Sequence, residues 1–146
     1  MSFESEYSLV AEMIDLCSGS VLDRSIAVEA IRLLCKWYGG QLLSMPKSPE
    51  AETAKEIRGV LADAIGDSDA DKIMESLTTF FGGSQLYIPM EARAFRDDIA
   101  NEIYERYDGT MESMRELCRE YRISYTQVYR LYHYAAEERT QKLFEF

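Results

Sequence analysis

The chain has 146 residues, 47% of them apolar, and 16 Lys+Arg against 26 Asp+Glu give a formal charge of −10. That is the size of one ordinary domain or two very small ones, with apolar content enough for a core. The acidity weighs against non-specific attraction to nucleic acid or anionic membrane, and no run approaches the roughly 18 apolar residues of a membrane helix. The opening "MSFESEYSLVAEM" is acidic where a signal peptide would be basic, so a cytoplasmic location is the expectation. Cys17, Cys35 and Cys118 are far apart, form no C-x-x-C, and fall on apolar helical faces, which fits buried thiols in a reducing compartment.

Helical periodicity dominates from the start. Leu9, Val10, Met13, Ile14 and Cys17 form one stripe, stopped by the breaker Ser18–Gly19–Ser20. Ala27, Ala30, Ile31, Leu34 and Tyr38 form the next, closed by Gly39 and Gly40 as a C-terminal cap. "QLLSMP" is too short for a helix and reads as a strand. Ser48 then predicts an N-cap, with Pro49 in the first helical turn and Glu50 and Glu52 near the positive end. Ala54, Ile57, Leu61, Ala64 and Ile65 carry that helix to Gly66. After a turn at "GDSDAD", the stripe Ile73, Leu77, Phe80 and Phe81 predicts a helix closed by Gly82 and Gly83. "SQLYI" reads as the better strand. After Pro89 the spacing of Ala92, Phe95, Ile99 and Ile103 predicts one long helix over 91–107.

One phrase occurs twice. "WYGGQLLSMP", from Trp37, and "FFGGSQLYIP", from Phe80, each run from an aromatic through two glycines and a Gln-Leu pair to a proline, 43 residues apart. Two copies are too few for a solenoid. Ordered recurrence favours duplication over chance punctuation, and leaves open whether the two strands pair within one chain.

Only the second copy leads into a motif. Met111, Met114, Leu117, Cys118 and Tyr121 form one short stripe; Val128, Leu131 and Ala135 form another. "YRIS" joins them so tightly that the helices must cross steeply, as in a helix-turn-helix. Ser124 and Gln127 predict a capping box on the second helix, read as 124–139. Arg122 stands where the turn often has glycine, a left-handed position costing an arginine roughly 1 kcal/mol. If the motif reads DNA, the second helix enters the major groove by its N-terminal turns. The side chains left over from packing are Tyr125, Thr126, Gln127, Tyr129, Arg130 and His133. Gln pairs with adenine, Arg with guanine, and Thr touches a thymine methyl; the tyrosines suit phosphates, as do Arg119 and Arg122. A solvated polar face would have the same composition, and the placing of Arg115, Arg119, Arg122 and Arg130 against the local acids discriminates.

These features together resemble the Mor/C family of phage transcription activators, of the phage Mu middle-operon regulator type. The resemblance runs from about Ser68 to Leu143 and is carried by "FFGGSQLYIP", the helix after Pro89, and "RELCREYRISYTQVYRL". It implies a mainly α fold: a helical dimerisation region with short β-strand ribbons, then a C-terminal three-helix helix-turn-helix domain. The expected divisions are 1–83 for the dimerisation region, 84–90 for a strand linker, and 91–146 for the reading domain. The resemblance implies a homodimer whose ribbon, Gly82, Gly83, Gln85, Leu86, Tyr87 and Ile88, pairs across the dimer. It also implies double-stranded DNA and host RNA polymerase as partners: the activator binds a dyad-symmetric promoter site of a phage or prophage operon and recruits the polymerase.

The sequence departs from the family in two ways. Between Arg115 and Lys142 six basic residues face four acidic ones, a thinner excess than phosphate binding normally uses. The N-terminal half also repeats the ribbon unit. An alternative class is therefore a regulator that keeps the fold but acts on proteins. Catalysis is not expected: His133 is the only histidine, no P-loop or G-x-G-x-x-G occurs, and Asp98 with Glu102 reads as a solvated face. No cofactor, metal site or membrane segment is expected.

Overall fold

A computed structural model of the chain describes residues 3–19 and 22–144; Ser20 of the expected breaker lies outside them. Two compact units divide the chain, Met1–Ala94 and Phe95–Phe146. The first contains α1 (Phe3–Cys17), α2 (Arg24–Tyr38), β1 (Gln41–Ser44), α3 (Glu52–Ile65), α4 (Asp67–Phe81), β2 (Gln85–Ile88) and the single turn α5 (Glu91–Ala94). The second contains α6 (Arg96–Arg106), α7 (Met111–Tyr121) and α8 (Tyr125–Leu143). The architecture is mainly helical with one two-stranded ribbon, as the sequence predicts.

In the first unit the periodic stripes become the core. Val10, Met13, Cys17, Ala27, Ala30, Ile31, Leu34, Ala54, Ile57, Leu61, Ile73, Met74 and Leu77 are buried. Removing each Ile, Leu or Met side chain from water contributes about 1.5–3 kcal/mol. Asp23 caps α2, its carboxylate accepting from the Ser25 amide at 3.1 Å. The helices end where the sequence places glycine pairs. A Cβ on Gly39 would stand 2.8 Å from the Met90 Cα and the Pro89 oxygen, and one on Gly82 would stand 2.9 Å from the Lys47 Cα. Glycine is thus required by close backbone approach, and the second glycine of each pair, Gly40 and Gly83, has positive φ.

The two strands are antiparallel neighbours within one chain, in the register Gln41↔Ile88, Leu42↔Tyr87, Leu43↔Leu86, Ser44↔Gln85. The strand Gln85 to Ile88, for which the resemblance implies pairing across a dimer, here pairs with β1 of its own chain. The strand expected as a linker lies inside the first unit, and the division between units falls after Ala94.

Three local expectations are also corrected. The third helix begins at Glu52, not at Pro49: the Ser48 hydroxyl accepts from the Glu50 amide at 3.1 Å and caps a turn instead. The helix after Pro89 is broken at Phe95, which has φ −119 and ψ 40 and is buried. Phe80 is 54% exposed while Phe81 takes the inward position, and Trp37 is likewise exposed.

Candidate nucleic-acid interface

The second unit is a three-helix assembly whose job, physically, is to hold α8 against α6 and α7. Its core is Phe95, Ile99, Ala100 and Ile103 from the first helix region, Met114, Leu117 and Tyr121 from α7, and Val128, Leu131 and Ala135 from α8. Ile123 plugs the turn. Thr110 caps α7 through the Ser113 amide at 3.1 Å, and Asp108 in turn accepts from the Thr110 amide and hydroxyl. Those bonds, the hydroxyl first, hold the Asp108 carboxyl down to about 2.

The connection between α7 and α8 behaves as the sequence predicts. Arg122 has φ 55 and ψ 45, the left-handed conformation, with its amide closing α7 onto the Cys118 carbonyl. Ser124 then caps α8. Its hydroxyl accepts from the Gln127 amide at 3.2 Å, and the Gln127 side-chain oxygen accepts from the Ser124 amide at 3.2 Å. Helix α8 runs four residues beyond the expected end at 139.

Tyr125, Thr126, Gln127, Arg130 and His133 are exposed, as the packing pattern requires. An open groove of about 400 Å³ lies along this face, lined by Tyr125, Thr126, Tyr129, Arg130, His133, Tyr134 and Glu137. Two of the side chains expected to contact DNA, Gln127 and Tyr129, are less available than the sequence suggests. Gln127 spends its oxygen on the capping box, leaving only its amide NH₂ to donate. Tyr129 is half-buried: the Tyr107 hydroxyl donates to it at 3.2 Å, and its own hydroxyl meets that of Tyr125 at 3.2 Å. Donating to Tyr129 pushes Tyr107 up to about 12, and accepting from Tyr107 lowers Tyr129. Tyr107 and Tyr132 also stack edge-on, so the aromatic cluster braces α8 from beneath. Tyr134 and Glu137 are groove residues that sequence reasoning missed. Their signal is the helical spacing: each follows a named residue, Arg130 or His133, by four positions.

The arginines sort into two groups. Arg96 lies over the Tyr134 ring at 4.5 Å, Arg139 lies over the Tyr104 ring at 4.0 Å, and Arg106 bonds the Tyr121 hydroxyl at 3.2 Å and pairs with Glu120. These brace the unit. Arg115, Arg119 and Arg130 are exposed, and among the described residues none of the three is in an ion pair. Arg115 and Arg119, four apart, share one side of α7. No acid occurs on α8 before Glu137. The second unit carries eight Lys/Arg against eleven Asp/Glu, the first eight against fifteen, so most of the negative charge belongs to the first.

The short helix α7 and the longer α8, joined by a three-residue turn with Arg122 left-handed and with α8 capped and outward-facing, define a helix-turn-helix unit. Comparison with known families matches residues 50–143 to the Mor transcription activator family, and the chain belongs to it. The match begins 18 residues before Ser68 and takes in α3, α4, β2 and every helix from α5 to α8. No curated protein and no solved structure matches the chain. Among the described residues, no helix is long and apolar enough to cross a membrane.

Proposed function

We propose that the protein is a DNA-binding activator of a phage or prophage operon, acting in the host cytoplasm by reading a promoter site and recruiting host RNA polymerase. The observation that carries this reading is the capped N-terminus of α8. It presents Tyr125, Thr126 and Arg130 outward with no acid in its first three turns. Family membership supports the transcriptional role. Arg130 is the base reader in this reading, Thr126 offers a methyl and a hydroxyl to base edges, and Arg115, Arg119 and Arg122 meet phosphates.

Arg130→Ala is expected to weaken operator binding about 10-fold or more while weakening random-sequence binding far less. Arg119→Ala is expected to weaken both alike and to reduce the salt slope by about one. Unchanged operator affinity in Arg130→Ala would show that α8 is not the reading helix. The protein-directed alternative draws on Glu137, which lines the same groove. Promoter activation that survives loss of all DNA binding would favour it.

A further inference from the structure

The repeated phrase is the visible part of a larger internal symmetry. Helices α2 and α4 each have 15 residues and start 43 positions apart. Moving the buried set of α2 by that shift carries Ala27, Ala30, Ile31, Leu34 and Cys35 onto Ala70, Ile73, Met74, Leu77 and Thr78, every one buried in α4. Beyond the glycines, buried Met45 falls on buried Ile88, and exposed Trp37 on exposed Phe80. Helices α1 and α3 follow with a shift of 44: Val10, Met13 and Cys17 fall on Ala54, Ile57 and Leu61, again all buried. Chance punctuation by Gly-Gly would not reproduce three sets of core positions.

The copies are related by a two-fold operation. In the ribbon Leu43 faces Leu86, its own counterpart, which places the dyad between them. Other contacts come in exchanged pairs. Helix α2 packs on α3 and α4 on α1; the Gly40 amide donates to the Ile88 carbonyl at 2.7 Å and the Gly83 amide to the Met45 carbonyl at 2.8 Å. Gly39 lies under Pro89–Met90 and Gly82 under Pro46–Lys47. Reciprocal contact of this kind is the property of an isologous dimer interface. Here both sides belong to one chain. The family match, starting at residue 50, covers the second copy with its reading unit and leaves the first copy outside.

We propose that residues 1–49 are a headless dimerisation partner fused in cis, so that the protein is a monomer that presents one recognition helix to one half-site. Only six residues separate Met45 from α3. So short a connection gives the partner copy an effective concentration in the millimolar range, well above that of a second chain at micromolar protein. The copies have also diverged in a way that identical subunits cannot. Arg32 Nε donates to the Glu91 carboxylate at 2.7 Å, with Glu91 buried; the counterparts of this pair are Glu75 and Ser48, so the ion pair exists on one side of the dyad only. That side is the one whose strand leads to the reading unit. The half-site part of the proposal rests on the DNA-binding reading above; the monomer part does not.

Sedimentation equilibrium of the full chain, from micromolar to near-millimolar, is expected to return the 16.8 kDa mass of one chain throughout. Twice that mass would overturn the proposal. A Leu42→Cys, Tyr87→Cys variant in a Cys118→Ser background tests the pairing directly, because these positions face each other across the ribbon. Oxidation is expected to give a cross-linked single chain on a non-reducing gel; a covalent dimer would show strands exchanged between chains and overturn it. On promoter DNA, one chain per site and an affinity unchanged by scrambling one half of any dyad are expected. Two chains per site would overturn the inference and leave the DNA-binding reading intact. Absence of binding at low salt would overturn the DNA-binding reading, while sedimentation would still decide the monomer.

Discussion

Replacing Arg122 by glycine removes a conformational cost that the structure places at one residue. Arg122 sits at φ 55 and ψ 45 between α7 and α8. An L-residue with a Cβ pays about 1–2 kcal/mol in that region. Glycine gives back about 0.4–1 kcal/mol through the greater freedom of the unfolded chain. These two backbone terms together favour glycine in the second unit by about 0.7 kcal/mol. That unit has about 52 residues, and at roughly 2.1 cal/mol/K per residue its unfolding entropy is about 0.11 kcal/mol/K, so the midpoint should rise about 6 °C. Far-UV circular dichroism and hydrogen exchange across α7 and α8 measure this. Trp37, the only tryptophan, lies in the first unit, so its fluorescence transition should not move. An unchanged or lowered midpoint for the second unit would refute the reasoning, and equal shifts in both transitions would refute the assignment to one turn.

Ser124→Ala breaks the capping box that fixes the start of α8 and is expected to cost about 1 kcal/mol, read as a lower urea midpoint for the second unit. Arg32→Ala strips the partner from buried Glu91 and is expected to destabilise the first unit by up to about 3 kcal/mol, followed by Trp37 fluorescence. Adding Glu91→Gln to it should restore much of the loss. Burial pushes the Cys17 and Cys35 thiols up to about 12 from a usual 9, while Cys118 is only partly covered. Thiol-reactive reagents should therefore label Cys118 first in the native protein. Because the folded state holds these protons more tightly, stability should be full below about pH 9 and fall between there and about 12; replacing both by alanine should flatten that fall.

Features set by local chemistry were legible in the sequence. Ser124, Gln127 and Arg122 declare the turn because capping and left-handed backbone depend on neighbours within a few positions. The inward stripes of α1 to α4 were legible for the same reason: helical periodicity is local. Breaks that depend on the surroundings were not. Ala92, Phe95, Ile99 and Ile103 keep helical spacing straight through the interruption at Phe95, so nothing in the period marks it. Phe80 and Phe81 are adjacent aromatics, and only packing decides which one turns inward. In the candidate site, the exposure of Tyr125, Thr126, Arg130 and His133 followed from the stripe left for the core. The tie of Tyr129 to Tyr107 did not, because Tyr107 lies 22 residues away, just past the end of α6. The repeat was visible as a phrase, but its meaning needed the register, in which Leu43 faces Leu86.

The most direct measurement is a titration of the full-length chain against its own promoter region at several salt concentrations. A DNA-reading α8 supported by Arg115, Arg119, Arg122 and Arg130 should give sequence-dependent binding at low salt. The logarithm of affinity should fall linearly with that of salt, at a slope of about −3 if Arg115, Arg119 and Arg122 each meet one phosphate. Binding that is absent at the lowest salt, or that is equal on promoter and unrelated DNA, would contradict the assignment of α8 as a recognition helix.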